Sequence, residues 1–414
     1  MVEHGTELTG LTAGPDAVTA AVRGHTGQAE TITAGHVVGC DGAHSRVRHE
    51  LGLTFHGQPY PQDWLLADVL LDWDLPEDAM HAFFRPDGLP VIFFPMRGHR
   101  WRLTLPFAGD RIRQAPTLAE IQQLTGQRAP QPVTVSDPTW LACFRCHRRS
   151  ASAYRRGRVL LAGDAVHIHT PAGGQGLNTG ITDAHNLGWK LALVASGRAP
   201  GALLDSYGTE RRPVAEEVLT LTHALVRYGT MSHPVKRRIR DFVVPALGRS
   251  PAIQRRAARR LSQVYVAYPP GPLARRDRGR NGPRAGQRMP DIHVRAGSQP
   301  TTLHRSLRGG RHVLIVPAAH LACVLSDSGL RPYSSELKVV TGDVAQAPRS
   351  DHVTGQVILV RPDGHVAARG RPGSIERLTG YLRDLFTEPV GHPRARSLQA
   401  VRYAPSAARL HRPA

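Results

Sequence analysis

Gly157-Arg-Val-Leu-Leu-Ala-Gly-Asp-Ala-Val-His-Ile-His-Thr-Pro-Ala-Gly-Gly-Gln-Gly-Leu-Asn178 sets an apolar run, an acidic residue, a proline and a glycine cluster directly ahead of a long helical pattern. Val159 to Ala162 is short, apolar and bounded by glycines, which predicts a buried strand. Gly163-Asp164 turns the chain at the carboxyl end of that strand, where α/β folds place their ligands. Gly173, Gly174 and Gly176 carry no Cβ, so backbone amides there can approach a bound group closely. Leu177, Ile181, Ala184, Leu187, Leu191 and Val194 recur at steps of three and four and predict an amphipathic helix to about Val194. Gly197 is its natural stop.

A second stretch, Val37-Val-Gly-Cys-Asp-Gly-Ala-His-Ser-Arg-Val-Arg48, reads as a strand, an Asp-Gly turn and a basic helical turn. The pair resembles the two signatures of the flavoprotein aromatic hydroxylases, the single-component FAD monooxygenases of the para-hydroxybenzoate hydroxylase type. Asp41-Gly42 with Ser45 and Arg46 stands for one signature. Gly163-Asp164 with Pro171, Gly173, Gly174, Gly176 and Asn178 stands for the other. The runs Asp183-Ala-His-Asn-Leu-Gly-Trp-Lys-Leu191 and Leu203-Leu-Asp-Ser-Tyr-Gly-Thr-Glu-Arg-Arg-Pro213 continue the likeness, which covers essentially the whole chain and looks closest to hydroxylases that tailor aromatic polyketides.

The resemblance implies FAD as cofactor and NADPH, or NADH, as reductant. It implies oxidation of an aromatic polyketide or phenol by a flavin C4a-hydroperoxide, with the hard chemistry carried by the cofactor. No side chain is then assigned as catalytic by its own chemistry, and no metal is called for. Asp164 is expected on the ribityl chain. The amides from Gly174 through Leu177 to Asn178, at a helix N-terminus, are expected at the ring edge that gathers negative charge on reduction. Pro171 is expected beside the ring, Asp41 near the cofactor where it helps the reductant engage, and Arg46 as a support for its own helix. The bland reading of Asp41 and Asp164 is a helix cap.

The fold class expected is α/β within a multi-domain α+β chain. Residues 1–52 and 150–200 form an incomplete Rossmann-like FAD domain. Residues 53–149 form an antiparallel substrate-binding sheet, with short strands at Leu65–Leu71, Ala82–Arg85, Val91–Phe94 and Trp101–Pro106. Residues 201–290 are helical and end in a Gly/Pro/Arg linker. Residues 291–414 form a thioredoxin-like domain with strands at His312–Val316, Leu337–Thr341 and Gln356–Arg361. Trp64, Trp73, Phe83, Phe84, Phe93, Phe94 and Trp101 are candidates to line the substrate pocket, although most are expected in the sheet's own core.

Ahead of Asp41 no Gly-x-Gly-x-x-Gly turn stands where the family opens with one, and Gly174-Gln-Gly176 is followed by Thr179 in place of the third glycine. A chain truncated by about the ~30 residues of one opening βαβ unit is the expectation. A non-catalytic remnant unable to hold FAD is therefore one alternative function. Baeyer–Villiger oxidation or antibiotic inactivation is another.

The 414 residues carry a net charge of +20, and among 53 basic residues only Lys190, Lys236 and Lys338 are lysine. The basic residues are spread out with few aromatics between them, so no nucleic-acid partner is expected. No run approaches the ~18 apolar residues of a membrane span, and the expectation is a cytoplasmic protein without a membrane partner, with a homodimer as candidate assembly. Cys143-Phe-Arg-Cys146-His147 matches a haem-attachment pattern. It falls in a strand-like run, where positions three apart face opposite ways, and is set aside. His167-x-His169 reads as structural.

Overall fold

The computed structural model describes residues 2–84, 90–107, 115–171, 174–229, 231, 233–264, 266–274, 282–342 and 355–387. Two compact units are present, Met1–Gly188 with Tyr207–Val266, and Trp189–Ser206 with Ala267–Ala414.

In the first unit an antiparallel meander comes first: β1 (Glu7–Ala13), β2 (Val18–Arg23) and β3 (Ala29–Ala34). Val18, Ala20 and Val22 alternate inward along β2, the period of two that a half-buried strand requires. The β-type run from Thr31 to Val38 is not one strand, because it is broken at Gly35-His36. The piece beyond the break, β4 (Val37–Gly39), joins a different sheet. The short helix α1 (Arg46–Glu50) follows.

The chain then builds β5 (Phe55–Asp72), β6 (His81–Phe84), β7 (Pro90–Pro95), β8 (Arg100–Phe107), α2 (Leu118–Arg128) and β9 (Thr134–Ala151). Next come β10 (Arg155–Arg156), β11 (Val159–Leu161) and β12 (His167–Ile168). A six-stranded sheet runs in the order β12-β9-β5-β8-β7-β6, all antiparallel. Its two longest strands, β5 and β9, are 18 residues each, far longer than the Leu65–Leu71 run suggests. Pro59 and Pro61 hide the extension, because proline interrupts a ladder; here the register slips between Pro59 and Asp63, the irregularity that accommodates it.

One face of this sheet packs on α2: Leu65, Ala67, Val69, Val91, Phe93, Trp101, Leu103 and Leu105 surround Ile121. Trp73 and Phe83 pack on the same core. Trp64 joins Tyr60, Cys146 and Val226 in a separate cluster. The side chain of Phe84 lies outside the described residues. The alternate positions Leu66, Ile92, Phe94, Thr104, Ala142 and Phe144 therefore point to the other face.

Helices α3 (Gly176–Ala195), α4 (Asp205–Gly229), α5 (Pro234–Gly248) and α6 (Pro251–Leu261) follow. α3 ends where expected, with Gly197 at φ +70°. Its polarity does not follow expectation. Leu177 is 77% exposed and Ile181 56%, while Gln175, Thr179, Asp183 and Asn186 are buried. The apolar periodicity located the helix but assigned its first two turns to the wrong side. No helix among the described residues is long and apolar enough to cross a membrane.

The second unit holds β13 (His293–Ala296), β14 (Gln299–Thr302), α7 (Leu303–Ser306), β15 (His312–Val316), α8 (Leu321–Leu325), β16 (Leu337–Thr341), β17 (Val357–Val360), β18 (Val366–Gly370) and α9 (Glu376–Leu385). β15 and β16 are parallel, as a βαβ crossover demands; β17 and β18 form an antiparallel hairpin, and α9 closes the unit. This βαβ-then-ββα connectivity is thioredoxin-like. Part of the segment read as a linker is stitched to the hairpin. Gly286 donates to Val366 O at 2.8 Å, Met289 donates to Gly364 O at 2.8 Å, and Met289 is wholly buried.

Candidate functional site

β4 and β11 lie side by side in parallel, Val37 opposite Val159 and Gly39 opposite Leu161. The Asp41-Gly42 and Gly163-Asp164 turns, 122 residues apart in sequence, therefore leave from one carboxyl edge. A Cβ on Gly39 would sit 2.7 Å from Val47 Cβ and 2.9 Å from Leu161 Cδ2, so only glycine lets α1 close over this edge.

Asp41 serves its own motif. Its Oδ1 accepts from Ser45 Oγ at 2.5 Å and its Oδ2 from Val47 N–H at 3.0 Å, while Ser45 Oγ accepts from Arg48 N–H. Arg46 is exposed, pairs with Glu50 within α1 at 2.7 Å and ties the helix to Thr9 O of β1 at 2.9 Å. The buried arginine two residues later couples the turns. Arg48 donates to Ala43 O at 2.8 Å and across to Ala165 O at 2.9 Å, with its guanidinium 4.0 Å above the Phe55 ring. Burial lowers the Arg48 pKa, and the Asp41 carboxylate opposes that shift. Spacing alone gave no reason to prefer Arg48 to Arg46.

In the second turn Gly163 has φ +61°, and its Cα is 3.4 Å from where a Cβ on Gly180 of α3 would stand. Strand end and helix therefore meet backbone to backbone. Asp164 is exposed, as are Pro171, Gly174, Leu177 and Asn178. Gly174 has φ +63° and donates to Pro171 O at 2.9 Å, and Gly176 begins α3. Gly173 lies outside the described residues. Thr179 N–H bonds Gln175 O at 2.9 Å, so the amides just before it belong to the helix start, which has no intrahelical acceptors. The exposed groups are a carboxylate, an apolar ring, an apolar side chain and helix-start amides. That donor set suits a planar heteroaromatic ring carrying a polyol chain, and the residues present fit FAD.

The turn is held from beneath by Asp183, wholly buried on α3. Its Oδ2 accepts from Gly163 N–H at 3.2 Å and contacts His167 Nε2 at 2.6 Å; its Oδ1 accepts from Arg211 Nε at 2.7 Å. Burial alone would raise the Asp183 pKa, but the His167 hydrogen bond and the Arg211 charge outweigh it and hold the carboxyl below its ordinary range. Arg211 also donates to Thr182 Oγ1 at 2.8 Å. His169 Nδ1 is 2.8 Å from Thr170 O, and burial lowers its pKa. From α6, Arg260 O and Leu261 O accept from Gln175 Nε2, and Gln263 Nε2 donates to Thr179 Oγ1 at 2.8 Å. Asp183 and Arg211 were visible only as parts of a likeness; no local pattern announces a buried node assembled from three segments.

Cys143 and Cys146 point to opposite faces of β9, one toward the α2 core and one into the Tyr60–Trp64 cluster, which disposes of the haem pattern. A cavity of 630 Å³ lies where β5, β9 and α4 meet, lined among others by His56, Tyr60, Arg148, Arg149, Glu216 and His223. Burial, then Arg148 and Arg227, lower the pKa of His223. Arg148 and Arg149 face the single carboxylate Glu216 in the cavity lining, which leaves a positive excess.

A family model described as an FAD binding domain matches residues 1–222, and one described as the C-terminal domain of aromatic-ring hydroxylases matches residues 282–389. The chain is 33% identical over 416 residues to 6-methylpretetramide 4-monooxygenase of Streptomyces rimosus, covering 94% of this chain and 73% of that one. It is 33% identical to pentachlorophenol 4-monooxygenase of Sphingobium chlorophenolicum, covering 89% and 71%. The solved anhydrotetracycline hydroxylase of Streptomyces rimosus superposes with a TM-score of 0.78 at 31% identity, covering 93% of this chain and 75% of that one.

Proposed function

The chain belongs to the FAD-dependent aromatic-ring hydroxylases, and on that premise we propose that the Asp41-Gly42 and Gly163-Asp164 turns together hold the cofactor and that the substrate is an aromatic polyketide or a related phenol. The parallel register of β4 and β11 carries the reading, because it brings both turns to one edge. The similarity runs through both domain models and nearly three quarters of the first relative's length, which favours an enzyme over a non-catalytic remnant.

Bound FAD supplies the redox chemistry, taking two electrons from NAD(P)H and delivering one oxygen atom of O₂ to the substrate while the other leaves as water. The chain's own residues bind, orient and shield. Asp164 accepts hydrogen bonds from the ribityl hydroxyls. Gly176, Leu177 and Asn178 present helix-start amides to the ring edge that becomes negative on reduction, while the Gly174 N–H is taken by Pro171 O and closes the turn before them. Pro171 and Leu177 cover apolar ring surface and keep water away. Asp41 and Arg46 act indirectly, by building and anchoring α1; Arg48 locks that helix to the second turn.

The sheet face carrying Leu66, Ile92, Phe94, Thr104, Ala142 and Phe144 supplies the substrate wall. It combines apolar and aromatic groups with the Thr104 hydroxyl and the Asp68–Arg102 ion pair, which suits a polycyclic phenol. Arg148 and Arg149 in the cavity where β5, β9 and α4 meet suit the phosphates of the nicotinamide dinucleotide. The test is NADPH and O₂ consumption by the FAD-loaded protein with a panel of polycyclic phenols, followed by product structure. Aromatic-stimulated oxidation yielding a new ring hydroxyl is expected. An ester or lactone product would shift the reading to Baeyer–Villiger oxidation, and no aromatic dependence would overturn it.

A further inference from the structure

We propose that Asp183 is a positioning residue for the flavin, fixing the turn that presents Asp164; the inference rests on the placement of FAD argued above. A helix that needed only to pack would bury its apolar residues. α3 does the reverse in its first turns, exposing Leu177 and Ile181 and burying Gln175, Thr179, Asp183 and Asn186. Such a buried polar stripe costs stability unless fully hydrogen-bonded. Asp183 meets that condition with His167, Arg211 and the Gly163 N–H.

The Gly163 contact matters most. Gly163 is at φ +61°, where the turn has other ways to run, and a charged acceptor on its N–H selects one of them. Asp164 is the next residue, is exposed, and has no hydrogen-bond partner holding its carboxylate among the described residues. Its direction is therefore set through the backbone of Gly163. The approach of Gly180 to Gly163 fixes the distance between helix and turn, and Asp183 fixes the orientation. Arg211, on α4, holds the other oxygen of Asp183 and keeps the charge in place.

A single Asp183→Asn change would strand Arg211 in the interior, so the decisive variant is Asp183→Asn/Arg211→Met, which removes both charges together and is compatible with folding. FAD affinity is read by quenching of flavin fluorescence, the environment of bound flavin by visible circular dichroism, and folding by thermal unfolding of the flavin-free protein. The double variant is expected to unfold near the wild-type temperature, to bind FAD about 10- to 100-fold more weakly, the loss of one charged hydrogen-bond system, and to show an altered flavin dichroism. His167→Gln keeps the Asp183–Arg211 pair and is expected to alter the dichroism with a smaller loss of affinity; it decides the matter if the double variant does not fold. Wild-type affinity and dichroism in a folded variant would overturn the role of Asp183 alone. A wild-type protein that takes up no FAD would overturn the site reading and this inference with it.

Discussion

Two buried carboxylates, one in each unit, are gripped by the same residue types to different ends. Asp183 is held by Arg211 and His167. Asp363 is held by Arg361, with contacts of 3.1 and 2.5 Å, while His365 donates its N–H at 3.3 Å and Trp189 Nε1 donates at 3.3 Å. Both carboxyls lie below their ordinary range: burial pushes each upward, and neighbouring positive charges and hydrogen bonds prevail. Around Asp363 the partners are themselves covered. Arg361 lies over the Trp189 and Tyr268 rings, and Tyr268 stacks on His365 at 4.0 Å. This cluster ties a hairpin to its neighbours. Around Asp183 the third partner is a glycine N–H at positive φ, one residue before an exposed carboxylate. The side chains are nearly interchangeable; what separates a structural cluster from a functional one is the backbone it grips and whether that backbone ends at a surface.

The comparison is broken most severely if the second cluster proves functional. Asp363→Asn leaves Arg361 buried without its charge partner and should cost about 3–5 kcal/mol of stability, seen as a lowered thermal midpoint, while FAD affinity of the folded protein stays at the wild-type value. Acid should separate the units next. His312 is fully buried, 3.2 Å from Tyr381 Oη, and burial holds its pKa down at about 3. The unfolded chain binds this proton near pH 6.5, so stability is complete above that value and falls as the pH drops from it toward 3, by on the order of 5 kcal/mol at the end. Asp183, with its pKa lowered, contributes fully above the unfolded carboxyl pKa of about 4 and is lost only below it. Acid unfolding monitored between pH 7 and 4 should therefore draw on His312 in the second unit and, with the same sign, on His169 and His223 in the first, and His312→Gln should flatten the second unit's share of that limb.

Smaller changes sharpen the contrast within the first unit. Asp164→Ala should weaken FAD binding about 10- to 100-fold yet alter stability by no more than about 0.5 kcal/mol, as an exposed position allows. Arg46→Met should cost at most about 1 kcal/mol, since its ion pair with Glu50 is largely exposed, and should leave FAD affinity within a factor of about three. A larger loss of flavin affinity would give Arg46 a direct role at the cofactor.

Much of this was legible in the residues. Glycine, proline and the Asp-Gly and Gly-Asp dipeptides act through local backbone geometry, so both turns, the strand Val159–Leu161 and the end of α3 at Gly197 could be read directly. Three features could not. The length of β5 was masked by Pro59 and Pro61, whose irregularity is resolved only by pairing with β9. The inward side of α3 was misread because periodicity identifies a stripe but not what covers it, and here the buried side is the one that meets Gly163, Arg211 and Gln263. Arg48 was passed over for Arg46 because its value lies in Ala165 O, 117 residues away. Each miss is a long-range contact overriding a local preference.

The most direct test is a crystal structure of the FAD-loaded protein. The account predicts the isoalloxazine against Pro171 and Leu177, the ribityl hydroxyls on Asp164, and the Gly163 N–H still on Asp183. Flavin bound elsewhere, with Asp164 pointing to bulk solvent, would contradict it.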